Sequence, residues 1–152
     1  MNADPWLERH VGLLRSSYRQ WTGRELIPAG IAAERAPAYL DEAAFGLVSH
    51  DTADDPVFNY GNRIALQLFE RTWQDFTRLP SRHSAEPVLH AERSRLLAQV
   101  QQHGYIDDYS GVRISSSGRR FCIENATVWN VLDEAGRPSG QAALIRAWRP
   151  LE

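Results

Sequence analysis

The sequence predicts an α+β domain, with helices first and a sheet last. Apolar residues recur at helical spacing near the N-terminus and again before Gly104. After Gly104 the chain falls into three strand-length runs separated by short connections rich in turn residues, the pattern of an antiparallel meander. The third observation is length. At 152 residues the chain makes one domain, which buries about 70% of its unfolded surface without needing a disulfide or metal.

The first helix is predicted from about Pro5 to Thr22. Asp4 can cap it, Pro5 suits the first helical position and Gly23 can end it. Leu7, Val11, Leu14, Tyr18 and Trp21 follow at spacings of four, three, four and three, forming one apolar seam. That seam either covers the domain's own sheet or pairs with a second copy, and two heptads leave both readings open. The stretch from Arg24 to Ala38, with Pro28, Gly30 and Pro37, reads as a connector with room for a short helical turn.

Phe45 to Val48 reads as a short strand entering the polar loop from Ser49 to Pro56, and Val57, Phe58 and Tyr60 form a second. Ile64, Ala65, Leu68 and Phe69 restore helical spacing, and Thr72 with Asp75 forms a capping box for a brief helix bearing Trp73 and Phe76. Ser84 is read as the cap of a longer helix through about Gln102, striped by Leu89, Leu96, Leu97 and Val100 and stopped by Gly104. Tyr105 to Ile114, Arg119 to Leu132 and Gln141 to Trp148 are the three final strands.

Composition narrows the function. The chain is 43% hydrophobic and 24% charged, and its 17 basic and 19 acidic residues alternate, so no cationic field is present for nucleic acid. All the basic residues are Arg. Without Lys, Schiff-base chemistry, lysine-bound pyridoxal phosphate and a P-loop are excluded. Cys122 is the single cysteine, which excludes an internal disulfide or a multi-cysteine zinc site. Neither a signal peptide nor a membrane span is legible, so a cytoplasmic protein is expected.

Several motifs in order suggest a family: FNYGNRIALQLF at Phe58 to Phe69, Trp73, LPSRHSAEP at Leu79 to Pro87, ERSRLL at Glu92 to Leu97 and YSGVRIS at Tyr109 to Ser115. GRRF, the pair Trp129 and Asn130, and GQAA at Gly140 to Ala143 complete the set. Over roughly residues 45 to 148 the chain resembles a MEKHLA domain, in its short stand-alone bacterial form. The family also closes plant homeodomain leucine-zipper transcription factors.

MEKHLA domains are similar to PAS domains. The resemblance implies a five-stranded antiparallel sheet of order 2-1-5-4-3 with helices over one face, here with an added N-terminal amphipathic helix. Residues 1–38 are then the helix and connector, and 39–152 the PAS-like domain. It also implies sensing and partner regulation rather than a defined reaction.

A PAS-like cavity between helices and sheet makes Asn62, Arg82, His83, Tyr109, Arg113, Trp129 and Gln141 the candidate ligand residues. Asn62 opens a short helix, where it orients a ligand or caps. Tyr109, Arg113 and Trp129, placed on central strands, supply aromatic faces and a guanidinium suited to a flat or carboxylated ligand, or else pack as core. Arg82 and His83 precede the long helix, where they receive an anion or serve a capped helix entry. Gln141 carries an amide able to exchange hydrogen bonds with a chromophore, or lies at an edge.

Cys122 sits on a strand rather than in the helical Asn-Cys-Arg sequence of light-sensing relatives, so non-covalent flavin remains but a covalent photocycle does not. Haem has His90 and His103 as axial candidates, both at the flank of their helix's apolar stripe. His50, Asp51, Asp54 and Asp55 match no metal-ligand spacing, and no catalytic triad is assigned.

Three functions follow. The first is a sensory module holding a small ligand and acting on a separate signalling or transcription-regulatory protein. The second is a ligand-free interaction module, a homodimer through the seam of Leu7, Val11, Leu14, Tyr18 and Trp21. The third is an enzyme with a general base near His50 or His83. The expected protein is not an enzyme, binds no nucleic acid directly and touches no membrane.

Overall fold

The computed structural model describes residues 4–86 and 89–151. Helix α1 (Pro5–Thr22) has the expected ends: Asp4 accepts from the Leu7 amide at 3.2 Å, and Gly23, at φ 72°, bonds back to the Arg19 carbonyl. A 3-10 turn at Ala33–Arg35 runs directly into α2 (Ala36–Glu42), so residue 38 lies inside a helix and not at a junction. Then come β1 (Gly46–His50), β2 (Phe58–Gly61), α3 (Arg63–Phe69) and α4 (Trp73–Phe76). A 3-10 turn at Ser81–Ser84 precedes α5 (His90–His103), which is followed by β3 (Tyr105–Ile114), β4 (Arg120–Leu132), β5 (Pro138–Ile145) and β6 (Ala147–Leu151).

The sheet is antiparallel in the order β2-β1-β5-β4-β3. The last strand, predicted as one run over 141–148, is interrupted at Arg146: β5 pairs with the second half of β4 and β6 with the first half. Arg146 holds that break by reaching the Asn125 carbonyl, Thr127 Oγ1 and the Tyr18 hydroxyl, each within 3.0 Å. The long helix also starts later than Ser84. Ser84 Oγ donates to the Ser81 carbonyl at 2.7 Å, so it closes the preceding turn and does not cap α5. Pro87 and Val88, inside the predicted helix, lie outside the described residues.

Both faces of the sheet are covered. Side chains alternate along each strand, so Leu47, Trp129 and Leu144 meet α1, while Val48, Phe121, Ile123 and Ile145 meet the α3 and α4 side, and Val128 meets α5. Val11 and Leu14 are fully buried and Tyr18 almost so, with Leu7 and Trp21 packed alongside. The α1 seam therefore covers its own sheet and is not a free face for a second copy. Val11 and Leu14 each contribute about 1.5–3 kcal/mol of burial free energy. On the other side Phe58 stacks on Phe76 at 4.2 Å and Phe69 meets Phe121 edge-on at 5.2 Å, and a space remains beneath α5.

Candidate functional site

Between α5, the Ser81–Ser84 turn and the sheet lies a cavity of about 60 Å³. Phe58, Phe69, Leu96, Ile123, Val128 and Ile145 make its walls mostly apolar. Its polar side chains arrive from five elements: Ser49 and His50 from β1, Ser81 and Ser84 from the turn, Arg93 from α5, Tyr109 and Arg113 from β3 and Gln141 from β5. At roughly 10–15 Å³ per water, the space suits roughly four to five heavy atoms.

His50 ends β1. Its Nδ1 lies 2.8 Å from the Asp51 carbonyl and must carry the proton, which makes Nε2 a bare acceptor; that atom is buried and has no hydrogen-bond partner. Burial pushes the His50 pKa down, and the charge of Arg93 pushes the same way, so the ring is neutral near pH 7. Gln141, its cross-strand neighbour, instead donates Nε2 to the Leu97 carbonyl at 3.0 Å and to Asn130 Oδ1 at 3.2 Å.

Arg93 and Arg113 are each only 8% exposed. Arg93 donates to Ser81 Oγ. Arg113 donates to the Val112 carbonyl at 2.8 Å and to the Tyr109 hydroxyl at 3.1 Å, and that hydroxyl donates onward to Glu92. The Tyr109 hydroxyl lies over Gly111, where a Cβ would stand 2.3 Å from it. Among the described residues neither guanidinium has an ion pair with a carboxylate. Burial, and then the charge of Arg113, push the Arg93 pKa down to about 10.

Of the seven candidates, Tyr109, Arg113 and Gln141 line this cavity, and the other four do not. Asn62 is used up structurally: its Oδ1 accepts from the amides of Leu47 and Ala65, and its Nδ2 donates to the carbonyls of Leu40 and Phe45. Trp129 has the alternation of β4 against it and faces α1, edge-on to Tyr18 at 5.0 Å. Arg82 is half exposed and paired with Asp55 at 3.0 Å, and His83 beside it is exposed, so this pair stays outside the cavity. Tyr109 and Arg113 belong to β3, an edge strand and not a central one.

Sequence reasoning missed Arg93, and it weighed His50 as part of a polar loop and as a candidate general base but not as a ligand contact. Arg93 lies three and four residues before Leu96 and Leu97, so helical spacing alone placed it on the buried stripe.

Large prosthetic groups do not fit. Cofactor-sized sites run to ~300–1,000 Å³, well above this cavity, so neither an isoalloxazine nor a porphyrin is accommodated. Cys122 alternates with Phe121 and Ile123, of which Ile123 lines the cavity, and points to the opposite face, its thiol 3.5 Å from the Ile123 carbonyl. His90 bonds the Ala85 carbonyl and His103 is exposed, so neither is an axial ligand aimed inward. Among the described residues no cluster of His, Cys, Asp or Glu is placed to hold a metal ion, and no helix is long and apolar enough to cross a membrane.

The family model described as the MEKHLA domain matches residues 8–150, which brings α1 into the match as well as the sheet. The homeobox-leucine zipper protein ATHB-9 of Arabidopsis thaliana is 29% identical over 97 residues, 64% of this chain but only 12% of that protein. A PAS domain from Colwellia psychrerythraea superposes with a TM-score of 0.64 at 13% identity, covering 78% of this chain and 95% of its own. A light-oxygen-voltage domain studied with a flavin analogue superposes at 0.59 with 14% identity, covering 76% and 84%. At these identities the structural likeness establishes the fold.

Proposed function

The chain belongs to the MEKHLA domain family and has a PAS-like fold, and from that premise we propose that it senses a small molecule bound beneath α5. The unpartnered Nε2 of His50 carries this reading: a buried acceptor without a donor costs about 1–3 kcal/mol, which a ligand hydrogen would recover. The reading is one of binding: among the described residues no hydroxyl or thiol is hydrogen-bonded to that nitrogen, which leaves it open to a ligand donor.

A hydrogen-bonded line leads from the cavity to the far side of the sheet. Gln141 donates to Asn130, Asn130 Nδ2 donates to the Val100 carbonyl of α5 at 2.9 Å, and Trp21 of α1 donates to the Asn130 carbonyl at 2.9 Å. A ligand that re-engages Gln141 thereby biases both helices, and the α1 side passes the signal to a separate regulatory partner. Self-association through the α1 seam is not part of this reading, because it would expose Val11, Leu14 and Tyr18.

Native mass spectrometry of freshly purified protein tests the proposal, compared with Ala143→Leu, whose longer side chain fills the cavity. A small mass increment on the native chain and none on the variant is expected. Identical bare masses, with no amide shifts on adding acetamide or ethanol as cavity probes, would overturn it.

A further inference from the structure

Arg93 and Arg113 approach one cavity from opposite elements, α5 and β3, and both are buried without a carboxylate partner among the described residues. Two buried cations facing one space repel each other, and isolated buried charge is among the costliest arrangements in a protein. The depressed pKa of Arg93 has Arg113 as its second cause, after burial. The nearest acidic groups do not neutralise the pair. Glu92 reaches Arg113 only through the Tyr109 hydroxyl, and Asp55, ion-paired with Arg82, acts on Arg93 only through space, too weakly to offset burial and the charge of Arg113. Asp51 Oδ1 is taken by the amides of Ala53 and Val57. Two guanidiniums lining one cavity suit an anionic ligand.

Shape and lining narrow its class. Space for roughly four to five heavy atoms excludes nucleotides, dicarboxylates with long chains and aromatic acids. A guanidinium presents a planar fork suited to a planar oxyanion, while Phe58, Phe69 and Ile123 offer an apolar wall that a fully polar phosphate would not use. We propose that Arg93 and Arg113 together bind the carboxylate of a short-chain acid of acetate or propionate size. Entry is from the groove beside the Asp51–Pro56 loop, because His50, Arg93, Leu97 and Gln141 border both that groove and the cavity.

This proposal rests on the cavity reading above, and the probes separate the two. Sodium acetate, sodium propionate, inorganic phosphate and neutral acetamide are titrated into the full chain at fixed ionic strength, read by amide shifts and melting temperature. Acetate and propionate are expected to raise the melting temperature and shift cavity amides, with phosphate weaker. Arg93→Gln and Arg113→Gln should each weaken carboxylate binding about tenfold or more and weaken acetamide binding far less, because only the carboxylate carries a charge to pair with them. Arg93→Met guards against a folding defect: in chloride buffer it should melt above the native chain, and acetate should not raise it further. Acetamide binding without carboxylate binding, carboxylate binding indifferent to both arginines, or an Arg93→Met chain that melts lower would overturn this proposal alone. Silence from every probe would overturn the cavity reading with it.

Discussion

His10 is buried on α1 between Trp6, stacked at 4.8 Å, and Tyr60 at 5.9 Å. Ser49 Oγ gives its proton to Asn59 Oδ1 at 2.5 Å and therefore accepts from His10 Nε2 at 2.9 Å, which fixes a neutral ring with its proton on Nε2. Burial pushes the His10 pKa down to about 4, with the charge of Arg9 adding to it. The unfolded ring titrates near 6.5, so the unfolded state binds the extra proton first as pH falls. Stability is whole above about pH 6.5 and falls toward pH 4, by on the order of 3 kcal/mol from this residue. His50, also depressed, adds in the same direction. Urea denaturation across this range should show the loss, and His10→Gln, which retains a donor to Ser49, should flatten it; an unchanged slope would contradict the assignment. A seam drawn from apolar residues passes over His10 and Ser17, since both are buried through hydrogen bonds that sequence spacing does not register.

Among the elements, α1 was legible because its signals are local: a capping Asp4, Pro5 at the start and Gly23 at the stop act within a few residues. The entry to α5 was not. Its cap position is Leu89, which makes no side-chain cap bond, while the cap-like Ser84 is spent on a turn. Three cavity residues were legible as strand residues with suitable chemistry, but the face each strand presents depends on register, and that misassigned Trp129. Because α1 packs inward, Leu14→Glu is expected to unfold the domain and not merely to separate two copies. Burying an unpaired carboxylate there costs upward of about 3 kcal/mol. Circular dichroism melting with size-exclusion chromatography checks this, and a folded variant of native melting temperature would contradict it.

For the whole molecule, the order of five strands followed from the chain's resemblance, whereas the second layer of helix did not. No sequence pattern says which face a distant amphipathic helix will take. The expected consequence is that residues 39–152 alone do not form a self-sufficient unit. Removing residues 1–38 bares Leu47, Trp129, Val131 and Leu144 in one contiguous apolar face. The fragment is expected to show no cooperative thermal transition and to bind a hydrophobic dye, measured against the full chain. A sharp transition near the native temperature would show that α1 is dispensable.

Cys122 gives this architecture a timer. It is the chain's single thiol, and it lies shut between β3 and β6 on β4, paired across to Val112 and Arg149. With Cys122 only 9% exposed, a thiol reagent is expected to label it slowly, and the rate reports local opening around β4. With no lysine to compete, the modified mass reports one site, and ligand occupancy can be followed as a slowing of that clock.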